Sequence, residues 1–140
     1  MPLTGGETDA DGCRFCTEIA QTPACRGTEL AVVLEDAFPV APGHRLIVPR
    51  EHHDDLFSLA PAVLQAMWRL IAEECRDLSR GADHGVNVGA NVGRAAGQTV
   101  AHAHVHVIPR VVGDVANPRG GVRGVIPLKQ DWAASGPTDV

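Results

Sequence analysis

The chain has 140 residues, 44% of them hydrophobic and 21% charged, with a net charge of −5 at pH 7. This is ordinary for one domain able to bury a core, and it argues against a generally basic nucleic-acid surface. No run approaches the ~18 consecutive apolar residues of a membrane span, and residues 1–12 lack the basic and apolar regions of a signal peptide, so a cytoplasmic location is the default expectation.

In chain order, residues 1–12 are rich in Gly, Thr and acids and are expected to be a disordered arm. Cys13-Arg14-Phe15-Cys16 is a C-x₂-C pair, half of a zinc site or a redox motif. Cys75 falls on a helix face and reads as a small buried apolar residue, and Cys25 is uninformative. In a cytosolic chain disulfides are not expected. Residues 13–21 hold a short helix or turn. Residues 29–35 read as a strand, 39–43 as a Pro- and Gly-containing turn, and 44–48 as a second strand antiparallel to the first, ended by Pro49 and Arg50.

Residues 61–80 are the best helix. Val63, Leu64, Met67, Leu70, Ile71, Cys75 and Leu78 form one apolar stripe, Ser58 is a candidate cap, Pro61 suits the first turn and Gly81 the stop. Trp68 lies beside the stripe, where it completes the core or anchors a subunit contact. Residues 85–89 alternate as a third strand, 91–97 form a Gly- and Ala-rich loop, and 100–108 form a fourth strand. Residues 111–124 are loop, and the tail from 129 to 140 is expected to be loose, although Trp132 is an odd residue to leave in water. The fold class is α+β, an antiparallel sheet of about five strands with one main helix at 61–80 and shorter helices.

The fourth strand carries His102, His104 and His106 at two-residue spacing. Strand side chains alternate, so the three share one face, roughly 7 Å apart, while Ala103, Val105 and Val107 point the other way into a core. A row of imidazoles is costly unless used. It fits a metal site, or nucleophilic catalysis in which one imidazole attacks while its neighbours orient groups and move protons. The loop directly before it, with Asn91, Arg94, Gln98, Thr99 and exposed backbone N–H groups, is suited to surround phosphate oxygens. Phosphoryl or nucleotidyl transfer is the chemistry that joins the two.

Gly97-Gln98-Thr99-Val100 followed by His102-x-His104-x-His106-Val107-Ile108 resembles the histidine triad family. The resemblance runs from Cys13 to about Pro127 and includes Phe15-Cys16 and the segment from Pro42 to Pro49; the 114–127 stretch looks like bacterial members close to dinucleoside polyphosphate hydrolases. It implies a domain over 13–128, usually homodimeric, that binds purine nucleotides and cleaves at the α-phosphate through a nucleotidyl-histidine. The resemblance makes His104 the nucleophile, His106 the contact to the α-phosphate and His102 the inner supporting residue. It places Asn91, Gln98 and Thr99 at the phosphate or leaving group and Asp36 at the ribose hydroxyls. Phe15, Ile19, Phe38 and Leu46 then lie near the base, with plain core as the other reading of each. It also implies a structural zinc held by Cys13, Cys16, His52 and His102, with His53 a rival for His52. The expected substrates are nucleoside phosphoramidates or dinucleoside polyphosphates. Transfer to an acceptor other than water, or a zinc-stabilised nucleotide-binding module with little turnover, are the alternatives.

Overall fold

The computed structural model describes residue 10 and residues 12–135. Most of the expected N-terminal arm and residues 136–140 lie outside the described residues. The elements are α1 (Arg14–Gln21), β1 (Ala31–Glu35), β2 (Arg45–Pro49), α2 (Pro61–Leu78), β3 (His84–Gly89), β4 (Val105–Val111) and α3 (Trp132–Ser135), joined by turns and short 3₁₀ segments. The sheet is antiparallel throughout, in the order β1-β2-β4-β3.

The apolar stripe of 61–80 behaves as its periodicity predicts. Met67, Leu70 and Ile71 are buried, with Val63, Leu64, Cys75 and Leu78 packed alongside, against Ala31, Val33, Ile47, Val105 and Val107 of the sheet. The alternate residues Val32, Leu34, Leu46 and Val48 face the opposite side, where Phe15 of α1 covers them with Ile19 and Val100. Period two thus splits β1 and β2 into two apolar faces and gives the sheet a core on both sides. Each large side chain removed from water on these faces stabilises the fold by ~1.5–3 kcal/mol. Arg45 of β2 also pairs with Glu74 of α2 across the first layer.

Several expectations are corrected. The sheet has four strands among the described residues, not about five: before β1 only a single bridge, Gly27 to Val32, extends it. Thr28 explains this, because its hydroxyl accepts from the N–H groups of Leu30 and Ala31 and closes a tight turn that leaves no room for a longer ladder. The histidine strand is paired only from Val105 onward, since residues 100–104 leave the sheet and Ala103 N–H donates instead to the His53 carbonyl. Ser58 does not cap α2. It ends a 3₁₀ turn that Asp55 caps, and Ala60 stands at the helix N-cap. Trp68 is 66% exposed, so it does not complete the core. The segment from Lys129 to Ser135 is tied down. Gln130 donates from its side chain to the Asn117 and Arg119 carbonyls, Arg123 donates to the Lys129 and Gln130 carbonyls, and Arg119 lies over the Trp132 ring. No helix among the described residues is long and apolar enough to cross a membrane.

Candidate active site and metal cluster

Two groups of side chains meet along the β4 segment. The first joins α1, the turn after β2 and the stretch before β4. Cys13 Sγ lies 3.6 Å from His102 Nδ1, and Cys16 Sγ lies 3.5 Å from His102 Nδ1 and 3.4 Å from His52 Nδ1. All four donor atoms fall within 4.8 Å of one another. A tetrahedral ion with metal–sulfur and metal–nitrogen bonds of ~2.3 and ~2.05 Å sets its sulfur–nitrogen edges near ~3.6 Å, so the set fits a closed Cys₂His₂ site. His102 is fully buried and its Nε2–H donates to the Pro49 carbonyl at 2.8 Å, which leaves the Nδ1 lone pair facing the sulfurs. Burial and the neighbouring His52, His104 and His53 hold its pKa below the usual value, against the opposing pull of the Pro49 carbonyl, and the neutral ring is the ligating form. Burial and the adjacent Cys13 push the Cys16 thiol up to about 11, a situation that a bound cation reverses. His53, by contrast, turns toward Glu51.

The second group begins at His104. Its Nδ1–H donates to the His102 carbonyl at 2.8 Å, so the lone pair of the neutral ring is on Nε2. His104 is 7% exposed and packs edge-on against Phe15 and His106, with ring centroids 5.1 Å away in each case. His106 sits in register between Leu46 of β2 and Gly89 of β3. A Cβ on Gly89 would meet nothing within 4 Å, so the space beside His106 is open. It belongs to a cleft of about 600 Å³ lined by Val40, His44, Gly89, Asn91, His106 and Ile108, among others.

His44 contacts the nearer nitrogen of His106, with Nε2 to Nδ1 at 2.9 Å, and Asp36 Oδ2 stands 3.4 Å from His44 Nε2 and 3.8 Å from His106 Nδ1. Burial, then the neighbouring His104 and His44, lower the His106 pKa, with Asp36 pulling the other way. The other Asp36 oxygen accepts from Phe38 N–H at 2.7 Å and closes the turn into β2. From the sequence alone His44 faces either the sheet or a hydrogen-bond partner. Its place directly after the Pro42-Gly43 turn was the available signal, but the pairing with His106 spans 62 positions.

The remaining expected residues divide. Asn91 lines the cleft, and Thr99 is exposed on the adjoining loop. Gln98 accepts from Gly93 N–H and donates to the Asp54 and Val100 carbonyls, so its carboxamide holds the loop in shape. Gly97 takes φ +85°, the left-handed conformation that glycine adopts without strain, at the end of that loop's 3₁₀ turn. Phe15 and Leu46, each 1% exposed, are core, whereas Phe38 is 76% exposed with the Arg14 guanidinium over its ring.

Residues 21–112 match the HIT domain model. Among solved structures, the chain is similar to a Zn-bound histidine triad family protein from Mycobacterium smegmatis, at 31% identity over 78% of this chain and 82% of that one, with a TM-score of 0.61. It is similar to a HIT family protein from Bacillus anthracis at 27% identity, covering 92% and 100% of the two chains with a TM-score of 0.63. A hypothetical protein from Leishmania major superposes with a TM-score of 0.65 at 26% identity over 91% and 97%. No curated protein matches. The domain match spans well over half of the chain, on a fold and a histidine row that agree with it: the protein belongs to the HIT domain, or histidine triad, family.

Proposed function

We propose that the protein is a nucleotide hydrolase that works through a nucleotidyl-His104 intermediate on purine nucleoside phosphoramidates or dinucleoside polyphosphates. The observation that supports this reading is the His104 Nδ1–H bond to the His102 carbonyl, which leaves the lone pair on Nε2, in a ring packed against the cleft-lining His106. In the first step the Nε2 lone pair attacks the α-phosphorus, a P–N bond forms and the bond to the leaving group breaks, the leaving group taking a proton from solvent through the cleft, to which the second step returns one. In the second, water attacks the same phosphorus, His104 departs, and the nucleoside monophosphate is released. His106 contacts the α-phosphate, and Asn91 and Thr99 meet the phosphate or leaving group together with the backbone donors of the loop that Gln98 holds. Asp36 accepts from the ribose hydroxyls, and Phe38 offers the open apolar surface for the base.

Zinc is the ion suited to Cys13, Cys16, His52 and His102, and in a closed four-ligand set it stabilises the fold without taking part in the reaction. The exposed Trp68 and the edge of β3 that no strand pairs among the described residues favour a homodimer, which sedimentation will test.

His104→Asn tests the mechanism. Hydrolysis of adenosine 5′-phosphoramidate is expected to fall by at least ~10³-fold, as for other nucleophile deletions, with nucleotide binding and zinc content retained. Turnover surviving that change removes His104 as nucleophile. Binding without turnover in the unaltered protein favours a nucleotide-binding module.

A further inference from the structure

A second cavity, of about 720 Å³, adjoins the cleft, and Val40, Asn87, Ile108 and Gly121 border both spaces. His106, Ile108 and Arg110 share one face of β4 because strand side chains alternate, and Gly89 and Asn87 of β3 stand opposite the first two in register. From His106 to Arg110 this face runs roughly 13 Å, at about 3.3 Å per residue. Asn87 stands where the two spaces join, and its orientation is fixed. Arg110 Nη1 donates to Asn87 Oδ1 at 2.6 Å, while Arg110 Nε and Nη2 donate to the Asp114 carboxylate at 2.6 and 2.7 Å. A guanidinium only donates, so the oxygen of the Asn87 carboxamide must face it and the N–H₂ group must face away. That Nδ2 makes no hydrogen bond among the described residues, and a Cβ on Gly121 would come within 3.1 Å of it. Glycine at 121 therefore keeps the neck open beside an unspent donor.

The second cavity has its own chemistry. Val40, Pro42, Ile108, Pro109, Val111 and Val115 give it apolar walls. Its one guanidinium is already paired with its one carboxylate, so it offers no spare arginine to a run of phosphates and suits an uncharged planar ring. The Arg110 plane, held through three of its nitrogens, is a rigid surface for such a ring. We propose that this cavity is a subsite for the second nucleoside of a dinucleoside polyphosphate, with the Asn87 N–H₂ group at the neck donating to a phosphate oxygen of the connecting chain. The first nucleotide lies where the hydrolase reading puts it, and the subsite rests on that reading. A phosphoramidate ends at its amine within the cleft, whereas a dinucleotide carries a ring system past Asn87. Asn87 and Val115 are then specificity residues and not catalytic ones.

Calorimetry on the full chain tests the subsite without turnover. The two ligands are adenosine monophosphate and a diadenosine triphosphate with methylene groups in place of its bridging oxygens. The dinucleotide is expected to bind at least ~10-fold more tightly than the mononucleotide. Val115→Trp fills the cavity from a wall that the cleft does not share, and is expected to remove that advantage while mononucleotide affinity stays within ~2-fold of the parent. Asn87→Asp keeps an acceptor for Arg110 but turns the donor at the neck into an anion, and is expected to weaken the dinucleotide ~10-fold and the mononucleotide less. If Val115→Trp melts well below the parent, Asn87→Asp decides alone. A dinucleotide that binds no more tightly than the mononucleotide overturns the subsite, as does an advantage that survives both changes. Equal weakening of both ligands in a stably folded Val115→Trp also overturns it, by placing the first nucleotide in this cavity. A parent that hydrolyses phosphoramidates but gains nothing from the second nucleoside keeps the hydrolase reading and loses the subsite. A parent that binds the dinucleotide as expected and hydrolyses nothing keeps the subsite and loses the hydrolase reading.

Discussion

The cysteine cluster and the Asp36–His44–His106 group share a segment and differ in what surrounds their imidazoles. His102 faces two sulfurs at 3.5 and 3.6 Å and lies wholly inside the protein, whereas His106 faces another imidazole and a carboxylate and borders an open cleft. The first arrangement offers four donors from three separate segments, which suits an ion that holds elements together. The second leaves one ring nitrogen toward the cleft. Between them His104 donates its Nδ1–H to the His102 carbonyl, so a residue of the candidate metal cluster also orients the proposed nucleophile. The lesson is that imidazole chemistry here is set by whichever group each ring meets first.

The largest effect that can break this contrast is loss of the metal cluster. Cys13→Ser with Cys16→Ser is expected to abolish bound zinc and to destabilise the fold by on the order of 5 kcal/mol or more, because the site ties α1 and the turn after β2 to the segment before β4. Metal analysis and chemical denaturation check this. Equal zinc in the variant and the parent removes both cysteines from the site.

Phe15→Ala follows. Its ring lies edge-on to both His102 and His104, at 5.9 and 5.1 Å between centroids, and is 1% exposed. Deleting it is expected to cost ~3–5 kcal/mol by denaturation and to weaken zinc retention and turnover together. A variant that loses stability alone would show that the two groups are not coupled through this ring.

The smallest effect concerns pH. Burial, followed by the neighbouring histidines, lowers the pKa of both His106 and His102 from 6.5. The folded state therefore binds these protons more weakly than the unfolded chain does, so nothing is lost above about pH 7 and stability declines as pH falls through 6.5. The Asp114 carboxylate, held at about 2 by its hydrogen bond to Arg110, acts only at much lower pH and does not mask this window. Denaturation at pH 8, 6.5 and 5 is expected to show stability declining toward acid, a decline reduced in His106→Gln. The acid limb of turnover is expected below pH 6.5. Stability that rises on acidification, or an acid limb above 6.5, contradicts the assignment of neutral rings.

Periodicity made the main helix and the alternation of the histidine row legible in the sequence, because both depend on which residues repeat on one face and little else. The α2 stripe from Val63 to Leu78 packs as its spacing requires, and Ala103, Val105 and Val107 enter the core opposite the three histidines. The resemblance named His52 ahead of His53, and the folded chain places His52 beside Cys16. Other features depend on distant chain segments. Trp68 is large and borders the stripe, yet nothing in its own segment says that no element covers it. The length of β4 depends on where residues 100–104 are drawn away to the cysteines. The proton order of His102 and His104 depends on the Pro49 and His102 carbonyls, groups that every residue type supplies alike. Sequence by itself therefore determined which imidazoles share a face and that they adjoin a phosphate-suited loop. Only the tertiary structure decided which nitrogen of these two rings carries the proton, because that is set by the direction of a backbone carbonyl and not by the identity of any side chain.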